Sequence, residues 1–227
     1  MTTSAPRILV IKLGALGDFI QALGPMAAIR KHHPQDHITL MTTRAYENLA
    51  RSCGYADDIW IDDRPKWHDI KGWKKLKQAL NSAGFTRVYD LQNNDRTAFY
   101  FRLFSPRPEW SGAAKGGSHS NTSRERTRGT ALDGHKQTLE RAGISGVEPD
   151  RLEWMHGTIS KNLPRPYVLI VPGSAPARTE KRWPTAFYAN ICARLIARGY
   201  LSVLIGGQGE KDTMDAIHAA VPESLNL

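Results

Sequence analysis

Cysteine is scarce: Cys53 and Cys192 are the two in 227 residues. Neither lies in a C-x-x-C or Cys/His ligand spacing, which excludes a disulfide framework and fits a reducing, cytoplasmic setting. No window approaches the roughly 18 consecutive apolar residues of a spanning helix, and MTTSAPR runs straight into ILVIKL without the parts of a signal peptide. Membrane insertion and secretion are therefore not expected. Several catalytic signatures are also missing: no D-x-D, no H-E-x-x-H, no G-x-x-x-x-G-K-[ST] and no G-x-S-x-G. Metal-bridged nucleotide-sugar sites, metalloproteases, P-loop enzymes and hydrolase triads drop out with them.

Acidic residues are in deficit. Lys and Arg total 31 against 22 Asp and Glu, a formal net charge of +9. Such a balance attracts anions: phosphorylated small molecules, anionic lipid surfaces or nucleic acid. No block of five or more like charges occurs, and the densest basic stretch reads as Ser123–Gly129. Without a helix-turn-helix or a stacked-aromatic motif, nucleic-acid binding is not expected.

What is present is an α/β pattern. RILVIKL (7–13) reads as a buried strand, GALGD as a glycine turn and FIQALGPMAAIRKHH as a helix. Strands follow at 37–42, 58–62 and 86–92, with helices across 70–83 and around 96–104. Alternation of this kind implies a mainly parallel, doubly wound sheet. The phrase restarts at YVLIVPG (167–173), followed by a helix from Pro184 to Gly199, LSVLIGGQGE and a last helix to about Ala220. The prolines of NLPRP (162–166) place a boundary near Leu163, giving domains 1–163 and 164–227. The second has two strand readings, too few to cover a sheet, and reads as truncated. Residues 111–129 are rich in Gly, Ser, Thr and Asn and read as a mobile loop of charge +3, suited to a phosphate or carboxylate, with a plain solvated loop as the simpler alternative.

Candidate functional residues gather at the glycine turns. Gly14 and Gly17 let a ligand approach backbone amides at a helix start, and spacing alone favours Asp18 as that helix's N-cap over a chemical role. In the second half, Ser174, Thr179 and Lys181 lie between a strand end and a helix N-terminus and suit a diphosphate. Gly207 and Glu210, in G-G-x-G-E, follow the next strand; the carboxylate could accept from ribose hydroxyls or simply complement a helix dipole. His32, His33 and His37 read as solvent-exposed rather than metal-binding, and Trp60, Trp67 and Trp73 as packing residues.

In order, ILVIKLGALGDFIQALGPMAAIR, RVYDLQNNDRTAFYFRL, VPGSAPARTEKRWPTAFYANICARLIARG and VLIGGQGE resemble glycosyltransferase family 9, the ADP-heptose:lipopolysaccharide heptosyltransferases. The resemblance implies a GT-B-like architecture of two Rossmann-like domains, the first for the acceptor and the second for the ADP-sugar, with metal-independent inverting transfer. It implies Asp18 as general base with Lys12 beside it, reversing the N-cap preference. Ser174, Thr179, Lys181, Gly207 and Glu210 would hold the ADP-sugar, which is a co-substrate rather than a cofactor. Gly14, Gly17, Gln92, Arg124 and Arg126 would face a lipopolysaccharide core precursor, at the inner face of the inner membrane. Three departures stand out: Gly14 and Ala15 replace frequent serines, hydroxyls after the P-G reduce to Ser174, and a D-x-G-P-x-H-type motif is absent. The last keeps open a second reading, a noncatalytic acceptor- or nucleotide-binding module.

Overall fold

A computed structural model describes residues 6–157, 162–174 and 179–227. The chain divides into two compact units, Met1–His156 and Gly157–Leu227.

The first unit is a parallel sheet in the order β3-β2-β1-β4-β5-β6. Its strands are β1 (Arg7–Ile11), β2 (His37–Thr42), β3 (Asp58–Ile61), β4 (Arg87–Asp90), β5 (Glu109–Gly112) and β6 (His119–Ser120). The helices are α1 (Leu16–His32), α2 (Glu47–Ser52), α3 (Ile70–Ser82), α4 (Asp95–Phe101) and α5 (Ala131–Glu140). Strand β1 is central because successive side chains feed both faces of the sheet. Ile8 and Val10 join Phe19, Leu23 and Met26 of α1 and Leu139 of α5 on one face. Leu9 and Ile11 join Leu76 and Leu80 of α3, Tyr100 and Trp110 on the other. Burying each such aliphatic side chain contributes roughly 1.5–3 kcal/mol, so the strand is pinned from both sides. Pairing β1 with β2 on one edge and β4 on the other opens a crevice at the carboxyl ends of β1 and β4, where open α/β sheets bind ligands.

The second unit has β7 (Tyr167–Ile170), α6 (Thr185–Ile196), β8 (Leu201–Leu204), α7 (Lys211–Ala220) and β9 (Leu225–Asn226). Its parallel sheet runs β7-β8-β9, over a core of Cys192, Leu204, Met214, Ile217 and Val221. Gly199, at φ +82°, adopts the left-handed conformation just after α6, where a helix-stopping glycine is expected.

Four elements differ from the sequence expectation. Residues 111–129 are not a bare loop: Ser111 and Gly112 belong to β5, His119 and Ser120 form β6, and Ser111 and Asn121 are buried. A third strand, β9, pairs along β8 in the second unit; at two residues it is too short for an apolar pattern to show. His33 is buried, its Nδ1 paired with Asp36 and its Nε2 with the Tyr89 hydroxyl, both at 2.8 Å. The densest cationic run is on α3, where Lys71, Lys74, Lys75 and Lys77 alternate with the Gly, Trp and Leu that conceal it.

Candidate functional site

A cavity of about 270 Å³ opens at the carboxyl ends of β1 and β4. It is lined by Lys12, Asp18, Gln92 and Arg126, four residues the sequence singled out, together with Asn93, Thr130 and His135. The local sequence explains each placement. β1 delivers Lys12 directly, and Asp18 follows one glycine turn later. Helix α1 begins at Leu16 with Ala15 as its N-cap, so Asp18 sits in the first turn with an exposed side chain. The N-cap reading of Asp18 is thereby corrected: the helix starts earlier than the apolar spacing suggested, and the carboxylate makes no capping bond.

Gly14 is buried at φ +130°, and a Cβ there would stand 2.6 Å from the Tyr46 ring. Its glycine identity thus has a packing cause. Gly17 faces open space. Arg124 is exposed on the short helical turn Arg124–Thr127, and neither it nor these glycines lines the cavity.

Polar groups crowd the cavity floor. Lys12 is buried and donates from Nζ to the Leu91 carbonyl oxygen at 3.2 Å. Burial lowers its pKa, while Asp18 and Asp90 pull the other way. Asp90 is fully buried and accepts through Oδ1 from the Gln92 and Asn93 amides at 3.0 and 2.9 Å. Desolvation outweighs those bonds and the Lys12 charge, pushing its pKa up to about 6. The Gln92 carbonyl accepts the Leu13 amide at 2.9 Å, so its side chain ties β1 to β4 as well as facing the cavity.

His135 was not anticipated. It is only 5% exposed, and neither ring nitrogen has a partner among the described residues; the same holds for Nε of Arg126. Burial, helped by the Lys12 charge, pushes the His135 pKa down to about 4, leaving a neutral imidazole with one donor and one acceptor. An unpaired buried polar group costs about 1–3 kcal/mol, so both side chains would gain from a polar ligand. The sequence did hold a signal: T-A-L-D at 130–133 fits the [ST]-x-x-[DE] helix start. In the fold Thr130 and Asp133 cap α5 reciprocally, and that helix presents His135.

In the second unit, Arg182 organises the glycine turns. It donates to the Ser174 carbonyl oxygen at 2.7 Å and lies 4.0 Å from a Glu210 carboxylate oxygen. The other Glu210 oxygen accepts from the Gly207 amide at 3.1 Å. A Cβ on Gly173 would fall 2.3 Å from Cγ of Glu210, so the glycine after Pro172 exists to admit this side chain. Lys181 is exposed at the end of the helical turn Thr179–Lys181. The Thr179 side chain, like Ala175, lies outside the described residues.

Comparisons with known proteins bear on the fold and the family. A Haemophilus influenzae protein described as a putative glycosyltransferase is 30% identical over 88 residues, 39% of this chain and 25% of that relative. The match thus spans a quarter of the relative's length. The crystal structure of a family 9 glycosyl transferase from Veillonella parvula aligns with TM-score 0.73 at 22% identity, over 96% of this chain and 68% of that one. E. coli ADP-heptose lps heptosyltransferase II gives 0.68 at 21%, over 97% and 72%. E. coli heptosyltransferase WaaC with ADP-2-deoxy-2-fluoro heptose gives 0.69 at 15%, over 97% and 76%. At those identities the likeness is one of fold, α/β and GT-B-like. The sequence model of glycosyltransferase family 9 (heptosyltransferase) matches residues 73–226, and the chain belongs to that family.

Proposed function

We propose that the protein is an inverting transferase that moves a heptose or related sugar from an ADP-sugar to a hydroxyl of a lipopolysaccharide core precursor. The observation that carries this reading is the convergence of Asp18, Lys12, Gln92 and Arg126 on one cavity at the switch point of the first sheet. The first unit would hold the acceptor and the second the ADP-sugar. Asp18 takes the proton of the attacking hydroxyl as the new bond forms at the anomeric carbon and the bond to the β-phosphate oxygen breaks. Lys12 supplies a fixed positive charge beside that carboxylate. Neutral His135, with one donor and one acceptor, suits an acceptor hydroxyl, and Arg126 suits an acidic group on the same molecule. In the second unit Lys181 offsets the charge gathering on the departing ADP, Ser174 and the Gly207 turn cradle the diphosphate, and Glu210 accepts from the ribose. Thr179 is proposed for the same diphosphate.

The setting proposed is the cytoplasmic face of the inner membrane. In support, the chain is basic, and among the described residues no helix is long and apolar enough to cross a membrane. The test is Asp18→Asn. ADP release from ADP-heptose in the presence of a core precursor falls about 10²–10⁴-fold, while the Kd for ADP stays within twofold of the parent. Equal turnover in the two proteins removes Asp18 from the mechanism.

A further inference from the structure

Helix α3 carries a cationic surface that the transfer chemistry does not use. Lys71, Lys74, Lys75 and Lys77 fall within seven residues, and the helix contains no Asp or Glu. Lys71, in the first turn, opposes the helix dipole, and no carboxylate one turn away relieves the repulsion between Lys71 and Lys75. This arrangement sacrifices local stability, which a helix with a purely structural role has no reason to do. Leu76 and Leu80 face the core. All four lysines are exposed, and on a 3.6-residue period they share one side of the helix with Ile70, which falls between Lys77 and Lys74.

Apolar surface adjoins them. Trp67 is 63% exposed and Ile70 is 69% exposed. The Trp67 ring is held in place: it stacks on Trp73 at 5.4 Å between centroids, and the Arg96 guanidinium lies over both rings at 5.4 and 5.5 Å. From Arg64 to Lys77 six cations stand against one carboxylate, Asp69. That carboxylate is engaged in accepting the Gly72 amide at 2.9 Å, as the cap of α3.

We infer that Trp67, Ile70 and the lysines of α3 form a docking face for an anionic lipid bilayer. The indole and the isoleucine enter the headgroup zone, and the lysine stems lie along it with their ammonium groups on lipid phosphates. Charge complementarity selects the anionic surface, and the exposed Trp67–Ile70 edge selects lipid over nucleic acid. A polynucleotide would engage the lysines but gain nothing from Ile70. The inference rests on the proposed transfer to a lipid-borne acceptor for its purpose and on none of its chemistry.

Co-sedimentation of the 227-residue chain with phosphatidylcholine vesicles, with and without phosphatidylglycerol, tests it without donor or acceptor. The expected result is binding that requires phosphatidylglycerol, weakens with salt and falls about fivefold for each lysine changed to alanine in the series Lys71, Lys74, Lys75, Lys77. Trp67→Ser with Ile70→Ser lowers binding while leaving its salt dependence. Circular dichroism and an unchanged urea-unfolding midpoint confirm that the variants fold. Equal sedimentation of parent and lysine variants overturns the inference. So does binding that ignores lipid charge, or displacement of the vesicles by RNA with no loss in the Trp67/Ile70 variant. Vesicle binding without any sugar transfer would sink the transferase reading and leave this one standing; transfer to a soluble acceptor without vesicle binding would do the reverse.

Discussion

The Lys12 ammonium donates to the carbonyl oxygen of Leu91 at 3.2 Å, across 79 residues of sequence. The bond joins the residue after β1 to the residue after β4, the two strand ends that frame the cavity. Lys12 is therefore both a tie between strands and the charge beside Asp18. The two roles separate in Lys12→Met. Losing the bond costs about 1 kcal/mol, and no longer burying an ammonium returns a similar amount, so Tm is expected to move by only a few degrees. Transfer is expected to fall at least tenfold. Turnover that survives the substitution would reduce Lys12 to its structural role.

His135 and Asp90 make opposite pH demands on stability. Unfolded, His135 binds its proton near the ordinary 6.5; folded, only near 4. Between those values the unfolded chain holds more protons, so this group's contribution is lost as pH falls from 6.5 through 4, by roughly 3 kcal/mol in all. Asp90 binds its proton near 6 when folded and near 3.8 when not. Its contribution is lost as pH rises from 3.8 through 6, by a similar amount. In the parent the two slopes nearly cancel between pH 4 and 6. His135→Gln should leave a protein that loses stability as pH rises across that window, and Asp90→Asn one that loses stability as it falls. Parallel urea-unfolding profiles for the two variants would refute both assignments.

The glycines of the first helix divide by their surroundings. A Cβ on Gly24 would lie 1.9 Å from the Glu148 carbonyl oxygen, a backbone atom that cannot swing aside. Gly24→Ala should therefore destabilise the fold by about 1–3 kcal/mol. Gly17 has nothing within 4 Å, so Gly17→Ala should raise stability by about 0.5–1 kcal/mol through helix propensity alone. Gly17 is also a proposed acceptor-contacting position. A more stable Gly17→Ala protein with a raised KM for acceptor supports that role, and unchanged kinetics removes it.

The fold was legible where apolar period and glycine punctuation coincide. RILVIKL, HITLMT and YVLIVPG announce β1, β2 and β7, and G-A-L-G-D announces the turn that carries Asp18. β5 and β6 were not legible. The stretch 111–120 is mostly Ser, Gly and Ala without apolar period, and only its ends, Ser111–Gly112 and His119–Ser120, are strand, because Tyr89 on β4 and Gly112 on β5 offer them a ladder. Lys12, Asp18, Gln92 and Arg126 could be named from motif and resemblance, whereas His135 depends on a long-range event, the packing of α5 against α1 that brings it beneath Lys12. The resemblance points to Lys181, and Arg182 is a second cation between the same strand and helix. Only the three-dimensional contacts show which one holds the turn.

That pair gives the final prediction. Arg182 bridges the Ser174 carbonyl oxygen and the Glu210 carboxylate, and so fixes the spacing between the two glycine turns of the second unit. Lys181 is exposed and bridges neither. If the proposed diphosphate seat is right, Arg182→Ala loosens both turns. ADP affinity should then drop roughly tenfold or more, the order expected when charged hydrogen bonds worth about 1.5–3 kcal/mol are lost. Arg182→Lys should recover little, since a point ammonium cannot reproduce the pair of bonds that Nη2 and Nε make to the carbonyl and hydroxyl oxygens of Ser174. Lys181→Ala should weaken ADP binding by charge alone, with a loss that shrinks as salt is raised. Calorimetric titration of ADP into the three variants at low and high salt distinguishes these outcomes. If Arg182→Ala binds ADP as tightly as the parent, Ser174 and Glu210 do not form the nucleotide seat.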